Sequence, residues 1–196
     1  KPGGYPLPKE LDAAFADAGS LRLEVDPRGM TAPETLATIQ QYAAYDTGKS
    51  LGTVLPKATH EKLATLLATS GGSVQAFEQT EPWMVSMSLV LGLNHAMGFR
   101  AELGMDRHLM ARAAEAGKPA AGLETIEDQM RAMDSVSHAE QAQGLAEFLD
   151  DPRHAMQQMQ DMHGWWRSGD AAKLDKFREV RDMMEQKVRE WVEGRL

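Results

Sequence analysis

Residues 102–125, ELGMDRHLMARAAEAGKPAAGLET, hold the pattern that decides the fold. Asp106 is a suitable N-cap for a helix, and Gly117 can end that helix in the left-handed conformation that glycine adopts easily. The following residues, PAAGLE at 119–124, are short and apolar and predict an inner strand. A helix that leads directly into a strand is typical of an α/β sheet.

A second strand is predicted from the alternation in SLRLEVD at 20–26. Leu21, Leu23 and Val25 alternate with charged residues, which is the period of a strand with one buried face. The sequence Asp-Pro-Arg-Gly at 26–29 then breaks the strand. We therefore expect two short strands, with a third, weak extended piece in SLGTVLP at 50–56.

Helical patterns and capping signals fill most of the remaining chain. We expect an α/β (α+β) fold in which helices dominate, with two or three short strands at one edge and a large multi-helix insertion. A single domain over 1–196 would divide into a sheet-associated part, 1–56 and 104–124, and a helical part, 57–103 and 125–196. The expected helices lie at 9–18, 32–44, 60–68, 82–103 and 107–116, after Thr125 and Ser137, from Pro152, and over 174–191.

One stretch without a charge, PWMVSMSLVLGLNHAMGF at 82–99, has the length of a short membrane span. Ser86, Ser88, Asn94 and His95 would be costly in lipid. We therefore interpret this stretch as a helix buried in the protein core, without a transmembrane segment.

The composition excludes several classes of site and partner. The chain has no cysteine and a formal net charge of −8, which rules out disulfides, thiolate nucleophiles and cysteine-based zinc sites. Both halves of the chain are acidic, so nucleic acid and anionic membranes are poor partners. No two of the 6 histidines have the i,i+4 spacing of a helical metal site.

Carboxylates remain as candidates for chemistry. Glu24 lies on the first strand, among its alternating residues and next to the break at Asp26; Glu124 closes the second strand, and Asp106 caps the helix that leads into it. Ligands of open α/β sheets gather at the carboxyl ends of the strands, where such groups can hold a divalent metal or perform acid–base catalysis. The simpler alternative is that Asp106 is only a helix cap and Glu124 only a charge at a helix start.

Four blocks of the sequence resemble the TraB/GumN family, which includes the Tiki proteins. The third block is the most specific, with a Gly-x-Asp opening, a helix, Gly-Leu-Glu-Thr and a downstream glutamine. The blocks are YPLPKELDAAFADAGSLRLEVD at 5–26, EPWMVSMSL at 81–89, LGMDRHLMARAAEAGKPAAGLETIEDQ at 103–129 and WWRSGDAAKL at 165–174. The resemblance covers nearly the whole chain and implies an α/β fold with a large helical insertion.

The resemblance also implies a function and a set of residues. The Tiki branch is associated with metal-dependent peptidase activity, so a hydrolase of a peptide or protein substrate that uses Mn, Co or Zn is expected. Glu24 matches the family's glutamate, as metal ligand or catalytic base, and Glu124 is the second catalytic candidate. Asp106 and Gln129 match family blocks that form a substrate or structural site. The resemblance further implies an exported, periplasmic bacterial protein.

This sequence departs from the family pattern in two respects. No histidine lies where either of the family's two Gly-x-x-His motifs is expected, just before the start and just after the end of this sequence. At 184–191 MEQKVREW has Lys187 and Val188 where the family has Arg-Asn. The sequence is therefore expected to be either an interior segment of a longer protein, inactive alone with incomplete metal ligands, or a diverged member without the chemistry. A segment would leave an exposed sheet edge that favours self-association.

Whether the protein is an enzyme stays open at this point, because a second function fits the sequence. The methionines of Met156–Met162 and Met183–Met184 suit an adaptable apolar groove in a non-catalytic helical module that binds a peptide or a partner helix. Met156, Met159 and Met162, together with His163, also match a soft-metal site such as copper uses.

Overall fold

A computed structural model of the protein describes residues 5–45 and 48–169. The chain divides into two compact units, residues 1–152 and 153–196. The predicted division of a single domain into a sheet-associated part and a helical part stays a prediction. The elements are α1 (Lys9–Asp17), β1 (Leu21–Leu23), α2 (Pro33–Ala43), α3 (Leu51–Val54), α4 (Lys57–Thr69), α5 (Pro82–Ala96), α6 (Met105–Glu115), β2 (Ala120–Gly122), α7 (Ile126–Asp134), α8 (His138–Asp150) and α9 (Pro152–Ser168), with 3-10 turns at Pro27–Gly29, Val74–Phe77 and Ala101–Leu103.

The sheet of the described residues consists of β1 and β2, which run parallel, and the predicted helix-dominant α/β fold is confirmed. Leu21 pairs with Ala120 and Leu23 with Gly122. Helix α6 packs against both strands and leads into the second one. Within residues 5–45 and 48–169 the two strands pair only with each other, and self-association through an open edge stays a prediction.

Both strands are shorter than the sequence pattern suggests. β1 ends at Leu23 because the chain turns immediately afterwards, where the Asp26 side chain accepts a hydrogen bond of 2.9 Å from the Arg28 backbone N–H. The pairing nevertheless extends past the second strand, since Leu123 N donates to Leu23 O at 2.8 Å. The alternation in the sequence therefore located the strand correctly but overestimated its length.

Helix α6 begins differently from the prediction. Its N-cap is Gly104, with extended backbone angles, and Asp106 lies inside the first turn, so the prediction that Asp106 caps this helix is wrong. A carboxylate in that position still interacts favourably with the helix dipole. The end of the helix is confirmed, because Gly117 follows the C-cap with a φ of 64°.

Helix α5 is shorter and less buried than the long core helix predicted for 82–103. It ends at Ala96, and Gly98 then takes a φ of 83° that turns the chain away. Only Pro82 and Val85 of this helix are buried, and Leu91 is 61% exposed. The interpretation of 82–99 as fully buried is therefore wrong, because the apolar residues surround the helix while only part of its surface is covered.

The stretch 50–56 is helical where a weak extended piece was predicted. Ser50 and Thr53 form a reciprocal capping box at the start of α3, in which the backbone N–H of each residue is satisfied by the other's side chain. Helix α4 begins at Lys57, so Thr59 is a buried helical residue and the prediction that it caps the helix is wrong.

The later helices begin where the sequence predicts. Thr125 and Ser137 form capping boxes with Asp128 and Glu140, and Pro152 starts α9. The helix predicted over 174–191 lies outside the described residues. None of the helices in the described part of the chain is long and apolar enough to cross a membrane.

The hydrophobic core lies among the helices and not beneath the two strands. Side chains from α3, α4, α5 and α8 form one buried cluster, and Leu51, Leu63, Val85 and Leu145 have no exposed surface. The cluster consists of Leu51, Leu55, Leu63, Leu67, Val74, Val85, Ala142, Leu145 and Leu149.

Candidate functional site

The carboxyl ends of β1 and β2 meet at one edge of the sheet because the two strands are parallel and in register. We call this edge the rim and define it as residues 24–26 and 122–125. It is the place at which ligands of open α/β sheets gather, and the two glutamates predicted as catalytic lie there.

Glu24 and Glu124 are neighbours across the rim. The Glu124 backbone N–H donates a hydrogen bond of 2.9 Å to the Glu24 carbonyl oxygen, and both residues are exposed. The structure therefore brings the backbones of these two candidates together, and leaves both carboxylates accessible to water. Their chemical role stays a prediction.

The structure does not place Asp106 and Gln129 at the rim itself. Asp106 is exposed in the first turn of α6, and no hydrogen bond or ion pair of the described residues joins it to either rim glutamate. Gln129 is half-buried in α7, where its backbone N–H donates to Thr125 O at 3.3 Å. Gln129 is thus one helical turn from the rim, and Asp106 lies on a separate element.

Asp26 belongs to the rim although the sequence analysis treated it only as a strand breaker. Its carboxylate pairs with the Arg28 guanidinium, and this hydrogen bond holds the pKa of Asp26 below its ordinary value. Arg28 also reaches Ala120 O at 3.3 Å. The signal for this arrangement was present in the sequence, since aspartate two residues before a backbone donor is the pattern of an Asx turn.

A cavity of about 410 Å³ opens at the rim. Its walls combine two carboxylates, Asp26 and Glu124, with apolar side chains from both sides of the sheet edge, a mixture that is typical of small-molecule sites. The lining residues are Val25, Asp26, Gly29, Met30, Thr35, Gly122, Glu124, Thr125 and Ile126.

Gly122 sets the shape of the rim. A Cβ atom at this position would lie 2.9 Å from Glu124 O and 3.0 Å from Asp26 N, closer than real Cβ atoms approach backbone. The chain segments after the two strands can therefore approach each other only because residue 122 has no side chain.

A second cavity, of about 460 Å³, lies beside α6 and contains neither rim glutamate. Arg28, Arg107 and Lys118 line it together with Glu102. The Lys118 ammonium is already engaged, because it donates to the carbonyl oxygens of Phe15, Ala16 and Ala18 at the end of α1.

The described residues do not by themselves fit the metal ion that the family resemblance implies. Among residues 5–45 and 48–169, no three histidine or carboxylate side chains are grouped so that they could hold a metal ion. Glu24, Asp26 and Glu124 offer the oxygen donors that hard divalent ions prefer, yet they do not form such a group. The use of Mn, Co or Zn stays a prediction.

The methionine surfaces of the alternative function are only partly described. Met156, Met159 and Met162 are half-buried along α9, while Met183 and Met184 lie outside the described residues. A methionine-based metal site and an apolar groove both stay predictions.

Comparison with known proteins assigns the family. No curated protein matches the chain, and no solved structure matches it. The model of the TraB/PrgY/gumN family matches residues 1–196, the whole sequence. The protein therefore belongs to the TraB/PrgY/gumN family.

Proposed function

We propose that this protein is a hydrolase of the peptidase type whose reaction takes place at the rim. The observation that carries the proposal is the backbone hydrogen bond of 2.9 Å between Glu124 N and Glu24 O, which brings two exposed glutamates onto adjacent chain segments at the carboxyl ends of parallel strands. A hydrolase needs a base for the attacking water and an acid for the leaving group, and glutamates can supply both.

Glu24 is assigned the role of base in this proposal. Its carboxylate takes a proton from a water molecule as that water attacks the carbonyl carbon of a peptide-like substrate. Glu124, at the wall of the rim cavity, is assigned the role of acid that returns a proton to the leaving amine. Asp26, bound to Arg28, remains ionised and contributes to the negative potential of the cavity.

The proposal includes a divalent metal ion, although the described residues do not by themselves form a metal site. Further ligands from outside these residues would be needed to hold the ion. Export to the periplasm is likewise proposed from the family resemblance alone.

The test is peptide hydrolysis by the intact protein, measured with a library of internally quenched peptides in the presence and absence of Mn²⁺, Co²⁺ or Zn²⁺. Glu24→Gln should lower the hydrolysis rate by about 10²-fold or more, the usual contribution of a general base. Glu61→Gln is the matched control, because Glu61 is an exposed glutamate of α4 whose only ion pair within residues 5–45 and 48–169 is with Lys57 at 3.7 Å.

Hydrolysis by Glu24→Gln at the rate of the unchanged protein would remove Glu24 from the mechanism. A protein that binds peptides without cleaving them under any of these conditions would favour the alternative function, a non-catalytic helical module. That alternative is supported by the exposed apolar surface of the helical part, of which Leu91 on α5, 61% exposed, is the clearest example.

A further inference from the structure

A second group of polar side chains lies among the helices and takes no part in the proposed reaction. We call it the Glu81 cluster and define it as Tyr45, Lys49, Glu81, His138 and Gln141. Glu81 is the N-cap residue of α5 and is only 4% exposed. A carboxylate so deeply buried needs hydrogen-bond partners, because an unpaired buried charge is strongly destabilising.

Both oxygens of the Glu81 carboxylate are bonded. Oε2 accepts a hydrogen bond of 2.9 Å from Gln141 Nε2, and Oε1 lies 2.8 Å from His138 Nε2. The Gln141 amide is itself fixed, because its Oε1 accepts from the Trp83 backbone N–H at 3.2 Å. The His138 ring is thus attached through Nε2 to a carboxylate that cannot move.

The other nitrogen of the ring has a different partner. His138 Nδ1 lies 3.4 Å from the ammonium of Lys49, which belongs to the segment before α3. An ammonium group has only donors, so Nδ1 must be the acceptor in this contact and carries no proton. The contact with Lys49 is therefore a hydrogen bond only for the neutral ring, with its single proton on Nε2 and donated to Glu81.

Proton uptake by His138 would change only one of these two contacts. The protonated ring has donors on both nitrogens, so Nε2 keeps its bond to the Glu81 carboxylate while Nδ1 presents a second positive group to Lys49. Lys49 is exposed, whereas the ring is held by a buried partner. Lys49 is therefore the group that leaves.

Other titratable groups also face the ring. Glu81, from α5, is the carboxylate bound to Nε2 at 2.8 Å. The Tyr45 ring lies edge-on at 5.4 Å between centroids, and its hydroxyl stays uncharged because burial, with the Glu81 and Glu78 carboxylates, raises its pKa. On the same helix as His138, Glu140 is bonded to Ser137.

We propose that His138 is a proton-controlled latch for Lys49: the neutral ring binds the lysine ammonium, and the protonated ring releases it. The latch acts on the segment that enters α3, because Lys49 precedes Ser50, the capping residue of that helix. Mild acidification would thus loosen the approach to α3 while the contacts of Glu81 with α8 persist.

The experiment is a pH titration of the whole chain by nuclear magnetic resonance. The shifts of the Lys49 side-chain ¹³Cε and of the His138 ring are followed together, and Lys49→Arg assigns the lysine signal. The latch requires that Lys49 show a step at the same midpoint as the His138 ring. Lys57, whose side chain is 90% exposed, should show no step there.

Two variants make the result specific. His138→Gln, whose amide can still donate to Glu81, should abolish the step of Lys49. His60→Gln is the matched control, because His60 is also paired with a glutamate, at 2.7 Å from Glu78, but has no hydrogen bond with a lysine in the part of the chain that the structure describes. This variant should leave the step unchanged. The latch is refuted if the Lys49 signal shows no step at the midpoint of the His138 ring, which is measured on the unchanged protein without any variant. It is also refuted if the step of Lys49 survives in His138→Gln.

Discussion

At the scale of single residues, Gly122 determines how closely the two strand ends approach each other. Replacing it with alanine would place a Cβ atom 2.9 Å from Glu124 O and 3.0 Å from Asp26 N. Neither neighbour is a side chain that can rotate away, so the backbone must shift. We expect Gly122→Ala to lower the free energy of unfolding by about 1–3 kcal/mol, the usual cost of overpacking, measured by urea unfolding.

Gly144→Ala is the matched control for that substitution. Gly144 lies inside α8, and a Cβ atom there would meet nothing within 4 Å. Alanine is the better helix former, so this variant should gain about 0.5–1 kcal/mol. Equal stability of the two variants would contradict the close approach assigned to Gly122.

The residues of the rim were predictable to different degrees. Glu24 and Glu124 could be placed at one edge because strand alternation and the preference for parallel pairing act on short, visible patterns. Asp106 could not, since the start of a helix depends on the backbone angles of Gly104, and aspartate is common both at caps and in first turns. Asp26 and Arg28 show the pattern of an Asx turn in the sequence, but that pattern predicts a turn and not a place at the rim.

At the scale of elements, Glu78 joins the segment before α5 to α3 and α4. Its carboxylate accepts from Gly52 N at 3.1 Å and lies 2.7 Å from His60 Nε2. The hydrogen bond with His60 holds the pKa of Glu78 below its ordinary value of 4.5. A lowered pKa in the folded state means that this carboxylate stabilises the fold above pH 4.5 and stops doing so as the pH falls through the folded value.

Glu78→Gln tests this dependence. Near neutral pH the variant should have a lower free energy of unfolding than the unchanged protein, and the difference should shrink well below pH 4.5, where Glu78 is protonated in both states. Urea unfolding at a series of pH values measures it. A difference that stays constant down to the lowest pH would show that the charge of Glu78 plays no part.

Helix boundaries were predicted well where a local signal specifies them. The capping boxes at Thr125 and Ser137 fix the starts of α7 and α8 through side chains three residues away. The extent and burial of α5 were not predictable in the same way. A uniformly apolar helix carries no periodic signal of which side is covered, and tertiary packing alone decides that.

At the scale of the whole molecule, the acidic composition makes a firm prediction about partners. Non-specific association with DNA is driven mainly by the counterions that basic side chains release from the phosphates. A protein with a net charge of −8 gains no such release on binding a polyanion. We expect no binding of duplex DNA up to about 10⁻⁴ M protein at physiological salt, measured by fluorescence anisotropy with a basic peptide as the positive control. Salt-sensitive binding would mean that a local basic surface outweighs the total charge.

The family could be predicted from the sequence and the reaction could not. Ordered blocks such as Gly-Leu-Glu-Thr at 122–125 indicated the family, and the family match over 1–196 agrees with them. A reaction depends on how several side chains meet in space. The backbones of Glu24 and Glu124 meet at the rim, whereas Asp106 lies in the first turn of α6, so the predicted convergence of three carboxylates does not follow from the described contacts.

The position of the buried leucine cluster has a consequence for how this protein can diversify. Its nine members lie in α3, α4, α5 and α8 and at Leu55 and Val74, and the rim contributes none of them. Substitutions at positions 24, 26 and 124 therefore leave the buried cluster, the main source of the fold's stability, unchanged. Such an arrangement tolerates drift in specificity, and libraries randomised at these positions should yield mostly well-folded proteins.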